Sequence, residues 1–341
     1  MTNVTLRTNA SFREQLQEGH HRTSGVSPFC MLQIDMIQQF PADYMHQCCL
    51  GVMRKLIVLW LRGNLTTRLS SGQVREISSR LLGLRQFMPN LFARKPRGLQ
   101  DIDRWKATEL RQFALYTGKI VLKGVLSDEL YAHFMLFSVA LAILVCPQLV
   151  KQYSSFASDL LVHFVEEGRK LYGDEFLVYN VHSLVHLASD AHAYCGLDEC
   201  SAFSFENYLH QLKRLVRSGK NPLAQIIKRL GEIDEHREEL NNKPAAVVKT
   251  QKPNNVFVLS DLQCCEVVSV VDATGEVLCR VYDNLEPLFM QPCNSRLTGV
   301  YKAQVRHTRM KQLSQRLLVR KAFFIDAEDD VKIVLTVLHS F

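Results

Sequence analysis

The stretch Ser201–Arg217, SAFSFENYLHQLKRLVR, carries the pattern around which the rest of the chain is read. Phe205, Leu209, Leu212 and Leu215 recur at helical spacing, and Ser204 stands where an N-cap is preferred. Glu206 falls in the first turn, where the helix dipole favours an anion, and Lys213, Arg214 and Arg217 fall later, where it favours cations. The expectation is an amphipathic helix with one apolar face, headed by a carboxylate and trailed by a basic end that runs on to Lys220. A second stretch, Phe40–Lys55 (FPADYMHQCCLGVMRK), has the same design, with Asp43 and His46 at a helix start. Pro41 biases Phe40 away from helical geometry, which makes Asp43 a natural first-turn or N-cap residue. Two acids at helix starts, each followed by basic residues, are what a metal-dependent phosphodiester site requires.

Around and between these stretches the period is helical. Met45, Cys49, Val52, Met53, Leu56, Leu59 and Trp60 space a helix over 44–62, and Val74, Ile77, Leu81, Leu84 and Phe87 one over 70–87 capped by Ser70 or Ser71. Further helices are expected over 108–116, 127–146, 149–171, 176–194 and 222–240, with a short one over Phe12–Glu18 and a single strand at Cys30–Ile34. The polar segment NNKPAAVVKTQKPNN then marks the clearest boundary, and beyond it the period falls to two. Cys264–Val271 and Glu276–Tyr282 read as a hairpin around Asp272–Gly275, and Arg316–Ile325 and Val331–Leu338 as another around the acidic turn DAEDD. The expected class is α+β: a polar lead-in (1–29), a mainly helical region (30–241), a linker (242–255) and a small barrel or sandwich (256–341).

A chain of 341 residues with 47% hydrophobic and 22% charged residues has ordinary globular composition and enough apolar content for a sizeable core. The net charge of +7 suits an anionic partner without requiring one. Ten cysteines without regular spacing fit a reducing, intracellular compartment, and the polar opening MTNVTLRTNASFREQ has no signal-peptide core. The longest apolar run, Phe134–Leu149, is too short for a convincing bilayer span and is broken by Pro147, so it reads as a buried helix.

Several features admit a bland and a sharp reading. His182 and His186 stand at i and i+4 with Cys195 and Cys200 downstream, so four zinc ligands can be drawn, but the apolar neighbours make packing the better account. Cys48–Cys49 and Cys264–Cys265 read as small buried hydrophobes. The connection ARKPRGLQDIDRWK gathers Arg104 and Lys106 among its basic residues, as a surface loop or as phosphate contacts, with Trp105 either core or base-stacking. Lys213, Arg214, Arg217 and Lys220 are a solvated helix face or a nucleic-acid contact. The stretch Arg306–Arg316 suits DNA, RNA or plain solubility.

Four stretches, FPADYMHQCCLGVMRKLIVLW, RWKATELRQFALYTG, YNVHSLVHL and SAFSFENYLHQLKRLVR, resemble in their order those of CACTA-type cut-and-paste DNA transposases and their animal relatives. The resemblance implies an RNase H-like catalytic core in which two aspartates and a glutamate hold two divalent metal ions. Asp43 would be its second aspartate, His46 the motif histidine and Glu206 the terminal glutamate, with Mg2+ or Mn2+ as cofactor, DNA as partner, a nuclear location and a possible homo-oligomer. The long separation of Asp43 from Glu206 implies a helical insertion. Only 42 residues precede Asp43, and Asp35 is the one aspartate among them, so the first catalytic aspartate is expected to be missing. On this reading the chain is the carboxy-terminal portion of a truncated RNase H-like transposase. It is then a decayed copy that is inactive as it stands, part of a longer active transposase, or a non-enzymatic nuclear scaffold for DNA or protein.

Overall fold

The structure is a computed structural model that describes residues 6–17, 21, 25–235, 248–271 and 275–339. The Asp272–Thr274 loop, part of the expected linker and the end of the charged run EIDEHREEL lie outside the described residues.

The first half of the chain is helical. Helix α1 (Asn9–Arg13) is followed by a π-helix, Met45–Met53, that runs straight into α2 (Arg54–Arg62), so the helix expected over 44–62 is present but widened in its first half. Apolar spacing does not separate the two helix types. Asn180 packs so closely on the widened turn that a Cβ at Gly51 would stand 2.5 Å from its Nδ2. Helix α3 (Ser71–Gly83) starts at a capping box between Ser70 and Gln73. Helix α4 (Ala107–Gln112) passes into a second π-helical turn, Phe113–Thr117, and then α5 (Gly118–Val121).

Helices α6 (Asp128–Leu144) and α7 (Pro147–Tyr172) form the central antiparallel pair. Ser127 caps α6 through the Leu130 N–H, and Pro147 occupies the first position of α7, where its missing N–H costs nothing. Every residue of α6 from His133 to Leu144 is buried, the all-round apolarity of a core helix. Among the described residues no helix is long and apolar enough to cross a membrane. The helix expected over 176–194 is broken into α8 (Tyr179–His182), a 3-10 turn (Ser183–His186) and α9 (Leu187–Ala193). Helices α10 (Phe203–Leu215) and α11 (Pro222–Glu235) then make a hairpin.

Eight strands follow: β1 (Val256–Leu259), β2 (Cys264–Val271), β3 (Glu276–Tyr282), β4 (Leu285–Pro287), β5 (Val300–Gln304), β6 (Thr308–Ser314), β7 (Leu318–Asp326) and β8 (Val331–Thr336). They form one curled antiparallel sheet in the order β4-β5-β8-β7-β1-β2-β3-β6. The α+β class therefore holds, but the expected barrel or sandwich is a single sheet with β4 and β6 at its ends. Alternation sends Val300, Phe323, Ile325 and Leu335 to the helical core and Tyr301, Phe324 and Val334 to a second cluster with Val256, Cys264 and Tyr282. Helices and sheet thus share one core, and Tyr116 ties them further by accepting the Leu338 N–H at 3.1 Å.

The strand expected at Cys30–Ile34 is instead a 3-10 turn, Pro28–Met31, followed by bends. Its side chains are exposed or half-buried, so nothing rewards an extended pairing. Among the described residues no strand precedes Val256, and the helical region shows none of the central strands of an RNase H-like core.

Candidate functional site

Asp43 stands just ahead of the π-helix, and its carboxylate is fully engaged. Oδ1 accepts the Met45 N–H at 3.1 Å and the Ala202 N–H at 2.8 Å. Oδ2 accepts the His46 N–H at 3.1 Å and pairs with His46 Nδ1. Ala202 is the N-cap of α10, and its carbonyl accepts the Glu206 N–H. One carboxylate therefore serves the starts of two helices, where unpaired N–H groups and the positive dipole end favour an anion. The expected cap Ser204 lies inside α10, and its hydroxyl donates back to the Ser201 carbonyl. The structure thus brings Asp43 to the start of the Glu206 helix, a meeting that the sequence pattern alone does not show. The Glu206 side chain itself lies exposed on α10, and among the described residues no hydrogen bond or ion pair joins it to Asp43 or His46.

Beneath Asp43 lies a buried anchor. Tyr44 is fully buried with its ring 6.0 Å from that of Phe203, and the Arg111 guanidinium carbon stands 4.2 Å from the Phe203 ring centre. Arg111 is ion-paired with Asp198 at 3.6 Å, and both side chains are about nine-tenths buried. Burial pushes the Tyr44 hydroxyl and the Cys48 thiol well up, and Cys49 up to about 12, so these cysteines are protonated packing groups. Sequence reasoning missed Arg111 and Asp198. The available signal was an arginine set among Leu110, Phe113 and Ala114, a place where charge needs a buried partner.

The proposed nucleic-acid contacts separate into two places. Lys213, Arg214, Arg217 and Lys220 are exposed at the far end of α10 and in the turn that follows. Gln225 fixes that turn, accepting the Arg217 N–H at 2.9 Å and donating to the Ser218 and Lys220 carbonyls. Arg104 and Lys106 are exposed on the other basic connection. Trp105 is core, packed on Phe113 with its indole N–H given to the Gly98 carbonyl. Arg97 turns inward to a bidentate pair with buried Glu109. His182 and His186 do stand ring to ring at 6.0 Å, and burial holds His186 below the usual imidazole range. Cys200 points its thiol at the Leu197 carbonyl, and Cys195 is exposed.

Compared with known proteins, this chain matches no family model, no curated protein and no solved structure. Its function is therefore argued from the site. Among the described residues no three or more His, Cys, Asp or Glu side chains gather as a metal-binding group. Each oxygen of Asp43 already accepts two donors, which fills the lone pairs a cation would take. As folded, the Asp43, His46 and Glu206 arrangement does not fit a two-metal site.

Proposed function

We propose that this chain is a transposase-derived protein of DNA-cleaving, metal-dependent ancestry that now acts as a non-catalytic DNA-binding scaffold. One observation carries the reading: the Asp43 carboxylate caps the very helix that bears Glu206, although the two lie far apart in the chain. Three of the four stretches that resemble the transposase pattern meet in this arrangement. Asp43 and His46 form its surface, Arg111 its buried anchor, and Phe203 the first turn of the capped helix. With Asp43 spent on backbone N–H groups, the ancestral carboxylates serve structure rather than chemistry.

In this reading Lys213, Arg214, Arg217 and Lys220 contact phosphates, and Arg104 and Lys106 form a second, separate phosphate contact. Binding then rests on counterion release and carries little base information. The test is duplex affinity across a salt series. Affinity should fall steeply with salt, and Arg214→Gln with Arg217→Gln should flatten that slope by about two. Absence of binding at low salt overturns the scaffold reading. Nicking of DNA in manganese that is lost in both Asp43→Ala and Glu206→Ala would instead make the chain a working nuclease.

A further inference from the structure

A small cavity opens where three distant segments meet: the loop 91–94, helix α4, and His339 beyond β8. Its volume is about 50 Å³, and its polar lining is Arg94, Thr108, Arg111, Gln112 and His339. On its apolar side Phe92 stands 5.9 Å from the His339 ring and 5.4 Å from that of Tyr116, so core packing holds the walls. Arg111 is buried, whereas Arg94 is exposed and forms no ion pair among the described residues, which puts it at the mouth. Gln112 gives its amide N–H to the Arg94 carbonyl at 3.1 Å and fixes the loop against α4.

The lining selects the sign, charge and size of what it can hold. It brings two guanidinium groups and, among the described residues, no carboxylate. Burial first, and then the Arg111 charge, lower the His339 pKa from 6.5 to about 2, so the ring is neutral. Tyr116 accepts the Leu338 N–H and gives its own proton to His339 Nδ1, which leaves the ring proton on Nε2 as a donor. Guanidinium groups, a hydroxyl and an imidazole N–H form a donor set, suited to an anion and not to a cation. Asp198 pairs with Arg111 and offsets one of the two positive charges, which leaves one to be matched. A water takes about 30 Å³ in the liquid, so a cavity of about 50 Å³ admits a single ion little larger than water. Sulfate is larger and carries a second charge, and a phosphodiester comes on a chain too bulky to enter. We infer that this cavity binds one small monovalent anion of the chloride class, which bridges exposed Arg94 to buried Arg111 and fastens the segment after β8 to α4. This inference stands apart from DNA binding, and its test contains no DNA.

Chlorine-35 NMR of the full chain should show a saturable line broadening that bromide displaces. Arg94→Gln should weaken chloride binding by about tenfold or more, with circular dichroism unchanged because that side chain is exposed. Arg85→Gln removes the same charge from an exposed place outside the cavity and should leave the broadening as it is. Thr108→Met fills the cavity without changing any charge and should abolish it. When chloride is replaced by isethionate at equal ionic strength, the melting temperature should fall for the wild-type chain and stay put for Arg94→Gln. Broadening of equal size in the wild type and in Arg94→Gln overturns the proposal, as does none at all up to roughly 100 mM chloride. So does a loss just as large in Arg85→Gln, which would trace the effect to diffuse surface charge, and so does a melt that follows ionic strength alone.

Discussion

Asp43 accepts the backbone N–H of Ala202 through Oδ1 at 2.8 Å, a single hydrogen bond that joins the first long helix to the start of α10. The same carboxylate also serves the N–H groups of Met45 and His46, so its removal leaves donors at two helix starts at once.

Asp43→Ala should therefore lower stability by about 1–3 kcal/mol, more than a single lost N-cap. Asp43→Asn keeps one acceptor oxygen and should lose less. Amide exchange should rise first at Ala202 and Phe203 in the alanine variant. Equal exchange across the whole chain would mean that the bond does not hold the two elements locally.

Gly168 and Gly83 make opposite predictions for the same substitution. A Cβ at Gly168 would stand 2.1 Å from Phe176 Cε1 and 2.9 Å from His133 Nε2, both inside the core. Gly168→Ala should cost about 1–3 kcal/mol or more through forced repacking. At Gly83, the last residue of α3, a Cβ meets nothing within 4 Å. Gly83→Ala should stabilise by about 0.5–1 kcal/mol, since alanine gives up less chain entropy in a helix. Urea melts of the two variants check the difference in sign.

Arg97 and Glu109 form a bidentate pair at 2.7 and 2.8 Å, and Glu109, 3% exposed, has one further bond from the Lys106 N–H. Arg97→Ala strands a buried carboxylate and should cost about 3 kcal/mol. Changing both residues, to Met at 97 and Leu at 109, should recover much of that loss. A double-mutant cycle measures the coupling, and coupling near zero would show that solvent already screens the pair.

Legibility in the sequence followed the cost of misplacing each residue. Strands β2 and β3 match the expected bounds: β3 alternates over most of its length, whereas β2 buries its first four residues and exposes the next three, and its β-branched run rather than alternation marks it. Strand β6, TRMKQLS, stands at the end of the sheet with no buried residue, so no alternation advertises it. Strand β4 is three residues long and ends in proline, below the length at which a period can be read. Phe205 and Leu209 lie on the apolar face that their spacing gives, yet that face is exposed, because periodicity records that a face is apolar and not what covers it. At the site, two acids at two helix starts were legible, but that Asp43 reaches the start of the helix bearing Glu206 was not, because a contact between distant segments leaves no local pattern. Arg111 among apolar residues signalled a buried partner, but nothing local says that this partner is Asp198, in a distant segment.

Lys119 gives the sharpest pH dependence. Its ammonium nitrogen is buried and has no hydrogen-bond partner, and burial lowers its pKa from 10.5 to about 7, offset only slightly by Cys293. In the unfolded chain the same amine titrates near 10.4. Below pH about 7 both states hold the proton, and the full cost of burying the charge falls on the folded state. Between about 7 and 10.4 the unfolded state holds a proton that the folded state lacks, so stability rises with pH, and above that range the cost is gone. At about 1.4 kcal/mol per pKa unit, Lys119→Met should stabilise by a few kcal/mol at pH 6 and by much less at pH 10. Urea melts of both chains at the two pH values measure the change. A gain of equal size at both would mean that the methionine merely packs better and that the lysine carries no charge penalty at all.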